Sequence, residues 1–162
     1  MALNLRPLAL DDVAAVHDWA RLPESCRFQA WGPNTYDQTR AYVRAAVAAP
    51  PNRLVFGVLV DGDVVGTAEL KLHGPSTGEI AYAVHPRLWG KGIATAAARE
   101  LLRMGFGEHG RHRMFGTCDP RNLASAAVLR KIGMRYEGRM RGTAYVRDGW
   151  RDSDLYAILA DD

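Results

Sequence analysis

The sequence predicts a mixed α/β fold whose sheet is partly antiparallel and partly parallel. Three observations carry this. Apolar residues keep helical spacing up to Pro50-Pro51 and switch to strand character from Arg53. Asp61-Gly62 is a hairpin signal between two branched, apolar runs. Beyond Lys91 the pattern alternates helix, strand, helix and then two strands. The length of 162 residues fits one domain, expected over 1–162.

Leu3 to Arg6 alternates as a short strand edged by Pro7. Asp11 or Asp12 can cap a helix to about Ala20, with Val13, Val16 and Trp19 on one face. Pro23 to Asn34 reads as a loop. Thr35 or Asp37 starts a second helix. Arg53–Val60, Val64–Leu72 and Gly78–Val84 form a three-strand meander, broken at His73-Gly74-Pro75 and ended by His85-Pro86. Lys91 to about Phe106 is helical, with Ile93, Ala97, Leu101 and Met104 as its apolar stripe. Arg113–Cys118 is a strand, and Asn122–Ile132 a helix followed by Gly133. Tyr136–Val146 is extended, Asp148-Gly149 turns the chain, and Asp154–Leu159 closes the fold.

Hydrophobic residues are 48% and charged residues 24%, which excludes disorder, a collagen-like chain and a disulfide scaffold. The formal charge of +3 is uneven. Residues 1–81 hold 7 basic and 9 acidic side chains, whereas residues 82–162 hold 14 and 9. The run from Arg111 to Arg141 is the most basic, which suggests either an anionic partner or a solvated surface. Cys26 and Cys118 form no CxxC, so no metal site is indicated and a reduced, cytoplasmic chain is expected. No apolar run is long enough for a membrane helix, and the first residues lack a signal-peptide layout.

The most informative segment is Tyr82-Ala-Val-His-Pro-Arg87-Leu-Trp-Gly90-Lys91-Gly92-Ile-Ala-Thr95. A strand ends, Pro86 stiffens the exit, and two glycines precede a helix. Gly90 and Gly92 let backbone N–H groups approach a ligand closely. The helix start adds unpaired N–H donors and partial positive charge. Together these make a phosphate or pyrophosphate cradle. The GxxxxGK[ST] spacing is absent, and Thr95 stands where a dinucleotide fingerprint needs its third small residue.

Arg87-x-x-Gly90-x-Gly92 resembles the acyl-CoA-binding motif of the GNAT superfamily of N-acetyltransferases. The resemblance extends over essentially the whole chain. Asn122-x-x-Ser125, followed by Leu129-Arg-Lys131-Ile-Gly133-Met134-Arg-Tyr-Glu137-Gly138, is similar to a block of the RimJ/RimL branch. So are the approach Glu79-Ile-Ala-Tyr82 and the closing run Trp150-x-Asp152-Ser-Asp154-Leu-Tyr156. The resemblance implies a mostly antiparallel central sheet with one splayed parallel strand pair, flanked by about four helices. It implies acetyl-CoA as cofactor, bound through Trp89, Gly90, Lys91, Gly92, Ala94 and Thr95, with Arg87 stabilising the loop.

Further roles are implied in the same way. The Val84 backbone N–H would polarise the acetyl carbonyl and hold the developing oxyanion. Asn122 would bind pantetheine or only cap its helix, and Ser125 would protonate the leaving thiolate. The tyrosine many members use falls at Leu129, which favours Ser125, water or Tyr136 as donor. Glu69 and Glu79 are candidate general bases acting through water, because the branch's proposed carboxylate falls at Ala144. His85 is a possible shuttle or a structural histidine, and Cys118 a remote nucleophile candidate. Arg121 and Arg130 are first candidates for the cofactor's 3′-phosphate.

The resulting expectation is an acetyl-CoA-dependent N-acetyltransferase acting on a primary amine in a ternary complex, with a possible homodimer. The acceptor is a protein N-terminus or a small amine such as an antibiotic or polyamine. A non-catalytic acyl-CoA-binding domain is the alternative. No helix-turn-helix or RNP-like segment supports nucleic acid as partner, and no membrane partner is expected.

Overall fold

Seven strands and four of five helices follow the expected order, in a computed structural model that describes residues 1–162; the fifth, α2, lies in the segment read as a loop. The strands are β1 (Leu3–Pro7), β2 (Arg53–Val60), β3 (Asp63–His73), β4 (Thr77–Val84), β5 (Arg113–Cys118), β6 (Arg135–Val146) and β7 (Gly149–Leu159). The helices are α1 (Val13–Ala20), α2 (Pro23–Cys26), α3 (Tyr36–Val47), α4 (Ile93–Arg103) and α5 (Leu123–Lys131). The sheet order is β1-β2-β3-β4-β5-β7-β6. Every neighbouring pair is antiparallel except β4 with β5.

The helices cover both faces of the sheet. On one face, Ile93, Ala97 and Leu101 of α4 and Leu129 of α5 pack on Val58, Ala68, Leu70, Ile80 and Val84. On the other, Val16 and Trp19 of α1 and Val43 and Ala46 of α3 meet Val55. Each fully buried aliphatic side chain here contributes about 1.5–3 kcal/mol. Leu101→Ala in α4 would leave a cavity and cost about 2–5 kcal/mol.

Local differences from the sequence reading have physical causes. Asp12 precedes α1 but makes no side-chain cap. Its carboxylate instead takes Arg6 Nη1 and Nη2, each at 2.8 Å, and the Ala9 N–H. Thr35 caps α3 in a reciprocal box with Gln38, at 3.2 and 2.9 Å. The segment after Pro23 contains one turn of helix, α2, with Pro23 in its first turn. The α4 helix stops at Arg103 and continues as a wider π-type turn over Met104–Glu108. The last strand begins at Gly149, five residues earlier than expected, because β6 and β7 form one long hairpin.

One feature of the sheet positions the site. β4 and β5 are in register only over Thr77–Glu79 and Arg113–Phe115. β4 then runs on to Val84 and β5 to Cys118 without pairing. The two strands diverge into a V. α5 leans into its β5 side: a Cβ on Gly116 would lie 2.9 Å from Leu129 Cδ2, so the glycine admits the leucine.

Candidate active site

The β4 arm of the V presents backbone donors. His85 N–H donates to Val65 O at 2.8 Å, so strand alternation turns the N–H and C=O of Val84 away from β3 and into the V. The Val84 carbonyl accepts the Trp89 indole N–H at 2.8 Å, which ties the following loop to the strand end. Val84 itself is buried.

That loop leads into α4. Gly90 and Gly92 have φ of +77° and +78°, where a Cβ is strained, and open space lies around both. Gly92 is the N-cap of α4 and has no side chain to satisfy the first turn. The N–H groups of Lys91 through Thr95 find no hydrogen-bond partner within the chain, and the first intrahelical bond is Ala96 N–H to Gly92 O. The residues present therefore fit a pyrophosphate: convergent donors, a helix N-terminus and no acid in its first turn. Lys91 and Arg87 are exposed, and Ala94 and Thr95 are half-buried at the helix start.

Inside the V lies a cavity of about 70 Å³ walled by Ile80, Tyr82, Thr117, Cys118, Asn122, Ser125, Leu129 and Arg151. Tyr82 Oη is 3.2 Å from Ser125 Oγ and 3.4 Å from the Ser125 carbonyl oxygen. Burial pushes the Tyr82 phenol up to about 12, despite the hydrogen bond to Ser125, so it stays protonated at neutral pH. Asn122 caps α5 through its side-chain oxygen, which accepts the Ser125 N–H at 3.1 Å. Its amide nitrogen is left for other partners. Burial, with Asp154 and Asp119 nearby, raises the Cys118 thiol to about 11. Cys118 is thus a neutral thiol and a poor nucleophile at neutral pH.

A larger chamber of about 590 Å³ opens on the other face of β4. Its floor is Ala81 and Ala83 of β4 with Thr67 and Glu69 of β3, and Trp19, Trp31 and Tyr42 form aromatic walls. Gln29, Ala81 and Tyr82 border both cavities, so the chamber adjoins the V beside β4. The roof is the segment after α2. Arg147, at the β6–β7 turn, holds this roof: Nη1 donates to Trp31 O (3.0 Å) and Gly32 O (2.7 Å), and Nη2 to Gln29 O (3.0 Å) and Cys26 O.

The candidate residues from the sequence divide accordingly. Val84, Trp89, Gly90, Lys91, Gly92, Ala94, Thr95, Asn122 and Ser125 gather around the V and the α4 N-terminus. Glu69 lines the chamber, but Arg53 engages both its oxygens, at 2.7 and 3.3 Å. Glu79 borders neither cavity; it lies on the first half of β4, 2.8 Å from His73 Nε2. His85 Nδ1 accepts the Arg87 N–H, so Nε2 carries the proton that is donated to Asp18 at 3.0 Å. This histidine ties the loop to α1. Tyr136 is exposed on β6, outside both cavities. Arg121 is held by Asp119 and Asp148, and Arg130 lies over the Tyr156 ring and donates to its hydroxyl. Sequence reasoning missed Tyr82 as the partner of Ser125, the aromatic walls and Arg147. Only Tyr82 carried a usable signal, since its parity along β4 matches that of Ile80 and Val84.

An acetyltransferase (GNAT) domain model matches residues 2–135. The chain is 30% identical over 162 residues to the uncharacterized N-acetyltransferase YnaD of Bacillus subtilis, covering 99% of this chain and 95% of that one. Among solved structures, a GNAT-family acetyltransferase from Bacillus anthracis superposes with a TM-score of 0.89 at 31% identity, over 100% and 97% of the two chains. RimJ of Mycobacterium smegmatis, in complex with CoA-disulfide, superposes with a TM-score of 0.81 at 29% identity, over 98% and 82%. With the splayed β4–β5 pair in place and the glycine loop opening α4, the chain belongs to the GNAT family of acetyltransferases and is an N-acetyltransferase.

Proposed function

We propose that the chain transfers acetyl from acetyl-CoA to a primary amine bound in the chamber beneath the roof segment. The observation that carries this reading is the V itself: the Val84 N–H turns into it, next to a helix N-terminus with unsatisfied donors. Acetyl-CoA, when bound, supplies the activated acetyl thioester. The N–H groups of Lys91 to Thr95 would hold its pyrophosphate, and the Asn122 amide its pantetheine arm. Val84 N–H would stabilise the negative charge that develops on the carbonyl oxygen. Ser125 Oγ would give its proton to the departing sulfur, with Tyr82 Oη directed at Ser125 so that the serine hydrogen can turn into the V.

The acceptor amine reaches the V past Gln29 and Ala81, where the two cavities meet. Glu69 stands in the chamber opposite Ala81 in register and can take the amine proton through water. A chamber of about 590 Å³ suits a small amine or the first residues of a protein N-terminus. Two buried free cysteines suit a reducing compartment such as the cytoplasm, and no helix is long and apolar enough to cross a membrane. The test is calorimetric titration with CoA, followed by thiol release from acetyl-CoA with an amine panel. Binding and amine-dependent thiol release support the reading. CoA binding with no turnover on any amine refutes the proposed acceptor class, and absence of CoA binding refutes the whole reading.

A further inference from the structure

We propose that the chamber selects a flat, apolar monoamine, such as an arylethylamine, and rejects polyamines; this rests on the acetyl-transfer reading above. Charge and shape both favour such an occupant. Trp31 and Tyr42 give the chamber aromatic faces beside the fully buried Trp19. Gln29, Asn34 and Gln38 add neutral polar groups, and the methyl side chains of Ala81 and Ala83 leave its floor low beside the V. Burial raises the Tyr42 phenol above its ordinary value, so this wall is uncharged at neutral pH.

Arg53 and Glu69 are the charged side chains lining the chamber, and they neutralise each other in a two-point contact. Lys71 Nζ adds a second cation 3.6 Å from Glu69 Oε1. The one carboxylate in the chamber is therefore already matched by two cationic side chains. A polyamine carries further ammonium groups besides the amine that reacts. Each of those would enter an aromatic chamber with no uncompensated acid to receive it, which is costly. An arylethylamine brings one amine, which becomes neutral on reaction, and a ring that stacks on the walls.

Shape agrees. The roof is fixed rather than open, because Arg147 binds four of its backbone carbonyls, including that of Trp31. The chamber is thus preformed around a compact body, and the border it shares with the V at Gln29, Ala81 and Tyr82 is where a short amine arm would pass.

The test uses 2-phenylethylamine, spermidine and a short alanine-initiated peptide as probes, with thiol release from acetyl-CoA as one readout. Saturation-transfer NMR of each amine on the protein alone is the second. The expected kcat/KM for 2-phenylethylamine exceeds that for spermidine by about a hundredfold or more. Trp31→Ala weakens 2-phenylethylamine binding about tenfold and leaves CoA affinity unchanged. Arg53→Gln, which unmasks Glu69, raises the spermidine-to-phenylethylamine rate ratio about tenfold. Spermidine or the peptide as the preferred acceptor overturns the proposal, and so does an unchanged ratio in Arg53→Gln. If no amine turns over, the acetyl-transfer reading fails separately. The NMR arm then decides: phenylethylamine binding lost in Trp31→Ala sustains the chamber's selectivity, and no binding ends it.

Discussion

Gly66→Ala is expected to damage catalysis more than stability. Gly66 lies on β3 opposite Val84, the residue whose N–H turns into the V. A Cβ added there would press into the Ala83 carbonyl oxygen and stand 3.2 Å from Val84 Cα and 3.3 Å from the Ala83 carbonyl carbon. Carbon atoms in contact prefer about 3.5–4.0 Å. All three obstacles are backbone atoms, so no rotamer relieves them, and β4 must retreat by about 1 Å at its catalytic end. Overpacking of this kind costs about 1–3 kcal/mol, or roughly 2–12 °C in Tm for a chain of this length. A displacement of about 1 Å in a catalytic group costs on the order of a hundredfold in rate. The loss should fall on kcat, because the glycine loop and α4, the proposed holders of the cofactor, lie beyond the strand end. Gly57→Ala on β2 is the control: its Cβ would meet only side-chain atoms at 3.6–3.7 Å, an ordinary contact. Thiol-release kinetics and thermal melts of both variants provide the check. A folded Gly66→Ala enzyme with undiminished kcat would show that the position of Val84 N–H does not matter, and the mechanism would have to be rebuilt.

Three other outcomes follow from the same structure. Ser125→Ala and Tyr82→Phe should each lower kcat, and the double variant should be no slower than Ser125→Ala alone; additive losses would mean that Tyr82 does not act through the serine. Gly92→Glu forces a side chain onto φ +78° and puts an anion among the α4 donors, so CoA binding should vanish while the circular dichroism of the fold persists; unchanged affinity would move the cradle elsewhere. The Asp12 carboxyl is held below its ordinary value, chiefly by the Arg6 hydrogen bonds and against the opposing effect of burial. Its contribution is therefore complete above the unfolded carboxyl pKa near 4 and fades as pH falls through the lower folded value. Asp12→Asn should lower stability at neutral pH and flatten the acid slope below about pH 4, measured by urea unfolding across that range.

What could be read from the sequence was whatever depends on local backbone chemistry. Asp61-Gly62 must make a tight turn, and its φ values of 51° and 93° confirm that two left-handed residues in a row close the hairpin. Gly90 and Gly92 marked a loop whose backbone could approach a ligand closely, and their φ of +77° and +78° add that both are left-handed. The carboxylates were not legible. Polarity alone puts Glu69 and Glu79 on strands, but strand register gives Glu69 to Arg53 in the chamber and sets Glu79 beside His73, away from it. The parting of β4 from β5 is a matter of pairing between two strands that α4 separates in the chain, and no local pattern encodes that. Arg147 reads in sequence as one more solvated arginine, and only the fold brings four carbonyls to its guanidinium.

Charge shows the same limit, and it relocates the anionic partner's footing. The basic run from Arg111 to Arg141 suggested either an anionic partner or a solvated surface. Within it, Arg113 pairs with Glu137, Arg121 with Asp119 and Asp148, Arg135 with Asp162, and Arg139 with Asp154. Arg111 donates to Gly74 O, and Arg130 is engaged by Tyr156. The acids that answer these arginines are scattered from Asp119 to Asp162, so a count along the chain sees an excess where the fold has pairs. Arg87 and Lys91, in contrast, form no ion pair and flank the glycine loop. Lys131 and Arg141 of the run are also unpaired, so unpaired positive charge is not confined to one place, but at the α4 N-terminus it stands where backbone donors already converge. Neutralising Arg87 or Lys91 should weaken CoA binding in a salt-dependent manner, whereas neutralising Arg113 should affect only the hairpin it anchors.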